Sequence, residues 1–254
     1  MVDLFGNSEL ATGYARSRPA VHPHVIERVR AHLGLRGPLD RALDVGCGAG
    51  LSTGPLRELA RWRLGTDPVE MMLRSGPTVA PGAHFAAARA EALPVRSRSI
   101  DLITAAGSLD YADLDRFFPE AARVLAPDGA LVVYDFSPGR TFRDSTALDD
   151  WYEEFVRRYP RPRRKGRPLD PEMLARRASG FQLRGQERFE VRVTLDAASY
   201  ADYALTETNV AHAIRNDESR ATIRDWCASS LGPVFDGTTR AVLFRAYLAY
   251  LVPV

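Results

Sequence analysis

Apolar positions along this chain recur in two rhythms, and the switch between them sets the expected architecture. In VIERVRAHLGL, Val25, Val29 and Leu33 recur at helical spacing, so the first 35 residues are expected to form a helical lead-in. Short apolar runs then alternate with amphipathic stretches. Residues 41–45 (RALDV), 62–66, 83–87, 99–105 (SIDLITA) and 130–136 (ALVVYDF) are short and largely apolar, the pattern of strands buried in a parallel sheet. Between them, 51–60, 68–72 and 113–125 are expected to be helices. Pro68 suits a first helical turn, and the PDG at 127–129 reads as a turn into the fifth strand. Strands alternating with helices predict an α/β fold with a doubly wound, mostly parallel sheet.

After residue 137 the pattern changes. SPGRTFRD reads as a loop, 147–159 as a helix carrying Trp151, Tyr152, Phe155 and Tyr159, and 189–195 (FEVRVTL) as an alternating strand. Residues 197–231 read as helices, and 241–252 as a strand that closes a seven-stranded sheet. No repeat and no separating linker stands out. The expectation is a single domain over 1–254: lead-in helices at 1–35, a core at 36–136, helical cap insertions with one core strand at 137–232, and a closing strand at 233–254.

Composition narrows the class. With 254 residues, 45% apolar and 26% charged, the chain is ordinary for a globular protein and long enough to bury a large core without staples. Two cysteines, Cys47 and Cys227, are too few for a disulfide scaffold, so a reducing compartment is expected. The N-terminus lacks a basic segment followed by an apolar one, and 241–254 is short and interrupted by Arg245. A cytoplasmic protein without a membrane span is therefore expected. The formal net charge of +2 hides an uneven distribution. Residues 157–168 (RRYPRPRRKGRP) hold seven positive charges, three prolines, no acid and the only lysine, Lys165. Without them the chain carries 27 basic and 32 acidic residues. Such a run reads first as a solvated loop. The alternatives are an anionic partner or a nucleic acid, but only Tyr159 is interleaved where nucleic-acid binding calls for several aromatics.

The sharpest chemical signal is ALDVGCGAG at 42–50. Gly46, Gly48 and Gly50 fall between an expected strand and an expected helix, where glycine lets the backbone turn tightly and approach a ligand. Asp67 follows 21 residues after Gly46, at the end of the second strand, where a carboxylate accepts from both ribose hydroxyls. A nucleoside-bearing ligand is the first inference. A dinucleotide fold spaces its glycines G-x-G-x-x-G. Here the spacing is G-x-G-x-G, and Asp44 beside the loop opposes a pyrophosphate and favours a cation. Both features argue against a nicotinamide dehydrogenase.

With these residues the chain resembles the class I S-adenosylmethionine-dependent methyltransferases, in particular the small-molecule group related to enzymes acting on ubiquinone precursors and trans-aconitate. The resemblance covers about residues 10–136. It implies a Rossmann-like fold, S-adenosylmethionine as cofactor and S-adenosylhomocysteine as product. LDVGCGAG is similar to the first motif, which implies cofactor contacts from Gly46, Cys47, Gly48 and Gly50 and a hold on the amino-acid end by Asp44. GTDPVEMM is similar to the second, implying Asp67 on the ribose, Pro68 beside it and Met72 against the adenine. ARAEALPV resembles the adenine-edge segment, implying Arg89, Ala90 and Glu91. Arg89 stands where the family places an acid, which turns attention to the backbone of Ala90. SIDLITAAGSLDYAD resembles the strand and loop bordering the methyl group, including Ala106. EAARVLAPDGALVVYDF resembles the family's helix-turn-strand ending. YARSRP resembles an N-terminal lid in which Tyr14 and Arg18 close over the cofactor.

Methyl transfer from a sulfonium is an in-line displacement, so alignment of donor and acceptor carries much of the rate. A hydroxyl acceptor needs a base, whereas a carboxylate does not. Asp110 and Tyr111, at the carboxyl end of the fourth strand, are the first catalytic candidates, followed by one of His22, His24, His84 or His212. Tyr14, Tyr111, Trp151, Tyr152 and His212 are candidates for the wall of an acceptor pocket under 137–232; for the aromatics the competing reading is plain helix packing. No metal ligand set stands out. The resulting expectation is methyl transfer to a small molecule, in specialised metabolism. The alternatives are a protein of the same fold that binds the cofactor without transferring methyl, and an RNA methyltransferase.

Overall fold

The computed structural model describes residues 8–161 and 169–254; the 162–168 part of the basic run, Lys165 included, lies outside them. In chain order the elements are α1 (Ser8–Ser17), α2 (His22–His32), β1 (Leu39–Val45), β2 (Ala60–Asp67), α3 (Glu70–Leu73), α4 (Gly76–Val79), β3 (His84–Ala87), β4 (Ile100–Ala106), α5 (Leu114–Val124), β5 (Leu125–Phe136), α6 (Ala147–Arg158), α7 (Pro171–Arg177), β6 (Phe181–Leu195), α8 (Ala197–Ala204), α9 (Thr208–Arg215), α10 (Arg220–Phe235) and β7 (Arg240–Pro253). They divide between two compact units. The first takes the described parts of Met1–Val21 and Ser137–Lys165, with Glu190–Arg245; the second takes His22–Phe136, the described part of Gly166–Phe189, and Ala246–Val254.

The seven-stranded sheet runs in the order β3-β2-β1-β4-β5-β7-β6. Strands β1 to β5 pair in parallel, and β7 returns antiparallel to β5, with Leu131 opposite Leu251 and Phe136 opposite Ala246. The chain winds outward from β1 to β3 and then resumes on the other side of β1 at β4. This reversal leaves a crevice at the carboxyl ends of β1 and β4. The central strands are apolar because both faces are covered. Leu43, Val45, Ile103, Ala105, Leu131 and Val133 join Phe117, Phe118, Ala121 and Val124 of α5 in the core of the second unit. Helix α5 starts where the Asp113 side chain accepts from the Asp115 amide, a local cap for an exposed N–H.

The first unit is built around aromatic rings. Trp151 stacks on Phe155 at 5.1 Å and on Trp226 at 5.5 Å, Tyr200 meets Trp151 edge-on, and Phe142 meets Phe235 edge-on. These rings come from α6, α8, α10 and the loop before α6, so burial of this cluster is what holds the helices together.

Several elements differ from expectation. The helix expected over 51–60 is a single 3-10 turn at Gly54–Glu58, because Gly54 and Pro55 break the run and β2 starts at Ala60. The PDG at 127–129 lies inside β5. The register against β4 shifts there, and a side chain at Gly129 would sit 2.9 Å from the Ile100 carbonyl. Strand β6 starts eight residues before the expected 189. Helix α7 went unforeseen although its signal was present: the Asp170 side chain accepts from the Met173 amide at 2.6 Å, and Pro171 occupies the first turn.

Candidate functional site

The glycine loop at the end of β1 is held by backbone bonds that only its conformation allows. The amides of Gly46 and Cys47 both donate to the Thr66 carbonyl of β2, at 2.7 and 2.9 Å. Gly46, Gly48 and Gly50 have φ of +70°, +52° and +91°, the left-handed region that a side chain disfavours. Gly46 is also a point of close approach. A Cβ there would lie 2.3 Å from the Ser108 Cβ, and Ser108 Oγ donates to the Val45 carbonyl at 2.7 Å. The loop after β4 is thus tied to the end of β1.

Asp67 ends β2 beneath this loop. Its Oδ2 accepts from the Gly48 amide at 3.0 Å and its Oδ1 from the Val69 amide at 2.8 Å. Each oxygen has a further acceptor site, so the carboxylate can take two more donors. Burial raises its pKa, opposed by the two amide hydrogen bonds. Met72 is buried with its Cε 3.3 Å from the point a Gly48 Cβ would occupy, while Pro68 is exposed. The Cys47 thiol is buried and its pKa is raised, first by burial and then by the charges of Asp44 and Asp67.

Asp44 differs from its expected role. Instead of presenting its carboxylate to a ligand, it is fully buried and accepts from Ser52 Oγ at 2.6 Å, Thr53 Oγ1 at 2.7 Å and Thr104 Oγ1 at 2.9 Å. Three hydroxyl donors converge on it from β4 and from the turn after the glycines, making it a strut beneath the loop. Burial nevertheless raises its pKa above the usual carboxylate value, the three hydrogen bonds opposing the shift. Nothing in the glycine spacing signals this; the Ser52–Thr53 pair one turn later was the available clue.

At the loop after β3, Ala90 is half-buried, whereas Arg89 is exposed and its Nε lies 3.5 Å from Glu91 Oε2. Glu91 Oε1 accepts from the Asp113 amide at 2.7 Å, so its carboxylate anchors the start of α5. Ala106 ends β4, and Gly107 follows at φ +60°, where a Cβ would meet Asp135 Oδ1 at 2.7 Å. Asp110 lies in the 3-10 turn Leu109–Tyr111 and accepts from the Leu169 amide at 3.2 Å; Tyr111 beside it is exposed.

The candidate histidines separate clearly. His84 begins β3, at the amino end of the strands, and stacks on Trp62, while His24 is exposed. His22 lies at the carboxyl end of β5. Its Nδ1 is 2.9 Å from the Tyr134 hydroxyl, and its ring meets Tyr134 and Phe136 edge-on at 5.8 and 5.3 Å. Tyr134 is fully buried. Burial, with the charges of Asp44 and Asp135, keeps it a neutral phenol.

The remaining candidates belong to the first unit. The Arg18 guanidinium stands 4.5 Å over the Tyr14 ring and 5.3 Å from that of Tyr203. Its Nη2 donates to the Thr206 carbonyl and Glu207 Oε1, both at 3.1 Å. Tyr152 is buried beside this pair, its hydroxyl 3.5 Å from Glu207 Oε2 and hydrogen-bonded to Arg161. Two expected wall residues are placed otherwise. Trp151 lies in the aromatic core with Nε1 donating to Ser230 Oγ at 2.8 Å, and His212 Nε2 is 3.3 Å from Asn216 Nδ2 one turn along α9. Among the described residues no group of three or more His, Cys, Asp or Glu could hold a metal, and no helix is long and apolar enough to cross a membrane.

Comparison with known proteins agrees with this geometry. The family described as a methyltransferase domain matches residues 43–133. An uncharacterised methyltransferase of Mycobacterium tuberculosis is 32% identical over 118 residues, covering 46% of this chain and 46% of its own. A ubiquinone biosynthesis O-methyltransferase of Sinorhizobium fredii is 30% identical over 151 residues, covering 56% of this chain and 60% of its own. The chain therefore spans about half to three-fifths of the length of these curated relatives. Among solved structures, a protein of Anaeromyxobacter dehalogenans described as a type II methyltransferase matches with a TM-score of 0.69 at 21% identity, over 93% of this chain and 97% of that one. Residues 43–133 thus match the methyltransferase domain family, in a chain with the Rossmann-like fold of that solved structure.

Proposed function

We propose that this chain binds S-adenosylmethionine at the glycine loop and transfers its methyl group to a small-molecule acceptor, releasing S-adenosylhomocysteine. The observation that carries the proposal is the Asp67 carboxylate, fixed by two amides beneath three left-handed glycines and still able to accept from two hydroxyls. The residues present fit the cofactor. Asp67 would accept from the ribose, the Gly46–Gly48 backbone would line the amino-acid end, and Met72 with the Ala90 backbone would border the adenine. The bound cofactor supplies an electrophilic methyl on a sulfonium. The chain's own residues hold the reactants in line, where orientation contributes several kcal/mol of rate. In this reading Asp44 acts through the loop it supports.

For a hydroxyl acceptor, the candidate bases are Asp110, Tyr111 and His22, whose Nδ1 lies 2.9 Å from the Tyr134 hydroxyl. Strand β5 is two spacings from β1, about 10 Å, a span suited to a cofactor and an acceptor side by side. A role inside the cell, in specialised metabolism, and without nucleic acid completes the proposal. Isothermal titration with S-adenosylmethionine and S-adenosylhomocysteine tests it. Micromolar binding of both supports it, and absence of binding ends it. Product analysis with methyl-labelled cofactor separates a transferase from a protein that only binds.

A further inference from the structure

The first unit contains two exposed arginines that gather at one aromatic residue. Arg140 and Arg161 are both exposed, and both approach one buried ring. Their guanidinium carbons lie 5.9 and 5.7 Å from the centre of Tyr152, and Arg161 Nη2 donates to the Tyr152 hydroxyl. Among the described residues neither comes within ion-pair distance of an acid. Arg143, Arg157, Arg240 and Arg245 of the same unit each meet a carboxylate. The one acid at the cluster, Glu207, already holds Arg18 at 3.1 Å. Among the described residues, the two guanidinium groups therefore have no ion-pair partner, and the phenol they flank faces Glu207 at 3.5 Å.

The backbone on which they stand is pinned by buried polar groups. Before Arg140, the Gly139 carbonyl accepts from the Tyr200 hydroxyl at 2.6 Å, and the Gly139 amide donates to the Tyr203 hydroxyl at 3.3 Å. Only glycine fits there, since a Cβ would lie 2.3 Å from the Phe244 ring. Ahead of Arg161, the Tyr159 carbonyl accepts from Asn209 Nδ2 at 3.0 Å, with Asn209 fully buried. Two long side chains are thus presented from fixed points, which lowers the entropy lost when they close on a ligand. A guanidinium offers a planar fork of donors that matches a carboxylate or phosphate.

We propose that Arg140, Arg161 and the Tyr152 hydroxyl form an anion subsite that takes a carboxylate or phosphate group of a small molecule. The subsite does not rest on the transferase reading above. The test is calorimetric titration of inorganic phosphate and of acetate into the full chain, at low and at 0.5 M sodium chloride, alongside S-adenosylhomocysteine. The expected result is saturable binding of at least one oxyanion, weakened by salt. It should fall about tenfold or more in the Arg140→Gln/Arg161→Gln double variant, the size of losing one or two charge-assisted bonds. Tyr152→Phe, which keeps the ring, should weaken it less. Arg157→Gln, which removes one charge from the same unit away from Tyr152, should leave it unchanged. Circular dichroism checks folding; both arginines are exposed, so their replacement should leave it intact. Absence of saturable oxyanion binding overturns the proposal, as does an equal loss in Arg157→Gln. Oxyanion binding with the expected variant pattern but no S-adenosylhomocysteine binding overturns the transferase reading and leaves the subsite standing.

Discussion

Replacing Asp67 by alanine separates a ligand-binding role from a structural one. In the free protein the carboxylate accepts two amides, from Gly48 and Val69. Both lie in the loop region at the strand ends, where water can replace the lost acceptor, so Asp67→Ala should cost about 1–2 kcal/mol of stability. If the same carboxylate accepts two ribose hydroxyls, binding loses two further bonds to a charged group, about 1.5–3 kcal/mol each. Their sum, about 3–6 kcal/mol, corresponds to a loss of at least about a hundredfold in affinity. Urea unfolding measures the first quantity and calorimetric titration of S-adenosylhomocysteine the second. Asp67→Asn keeps one carbonyl oxygen but turns an amide NH2 toward an N–H donor, so its affinity should fall between those of wild type and alanine. A variant that loses the expected stability while its affinity changes by less than about threefold would refute the placement of the ribose.

Other outcomes follow from neighbouring groups. Gly46→Ala should destabilise by more than about 2 kcal/mol, since left-handed strain of about 1 kcal/mol adds to the 2.3 Å conflict with Ser108; Gly48→Ala, which meets only the flexible end of Met72, should lose about 1 kcal/mol in the same urea titration. Asp44 has a raised folded-state pKa, so the native state holds its proton to higher pH than the unfolded chain. Stability should therefore fall as pH rises from the ordinary carboxylate value toward the raised one, then level off, and Asp44→Asn should flatten that slope in unfolding curves taken across the window. Tyr134→Phe should move the 15N shift of His22 Nδ1 without changing S-adenosylhomocysteine affinity; an unmoved shift would mean the 2.9 Å contact is not a hydrogen bond in solution.

The second unit was largely readable from sequence because its determinants are close together in the chain. Strand periodicity placed all five parallel strands, and the glycine loop and Asp67 sit 21 residues apart at the ends of adjacent strands. The misreadings have local physical causes. Asp44 looked like a ligand-facing acid because spacing reveals position but not orientation, and the three hydroxyls that turn it inward come from two separate segments. PDG looked like a terminal turn because a bulge uses the same residues. Trp151 read first as helix packing and second as a pocket wall, and the rings of Trp226 and Tyr200, 75 and 49 residues further on, place it in the core.

The first unit is harder to read from its sequence than the second. It is assembled from three separated stretches of chain, and its polar contacts join residues far apart in sequence: Arg18 with Thr206, Trp151 with Ser230, Tyr152 with Glu207. No short motif can encode such a cluster, because each segment supplies only one or two of the groups. The basic run shows the consequence. Counted as composition, its seven charges invite a search for a polyanion. In the fold its described arginines divide by environment: Arg157 is paired with Glu154, Arg158 lies against Tyr159 and Trp226, and Arg161 reaches Tyr152. Its partner at Tyr152, Arg140, lies outside the run altogether. These environments are a property of the assembled unit that charge counting does not resolve.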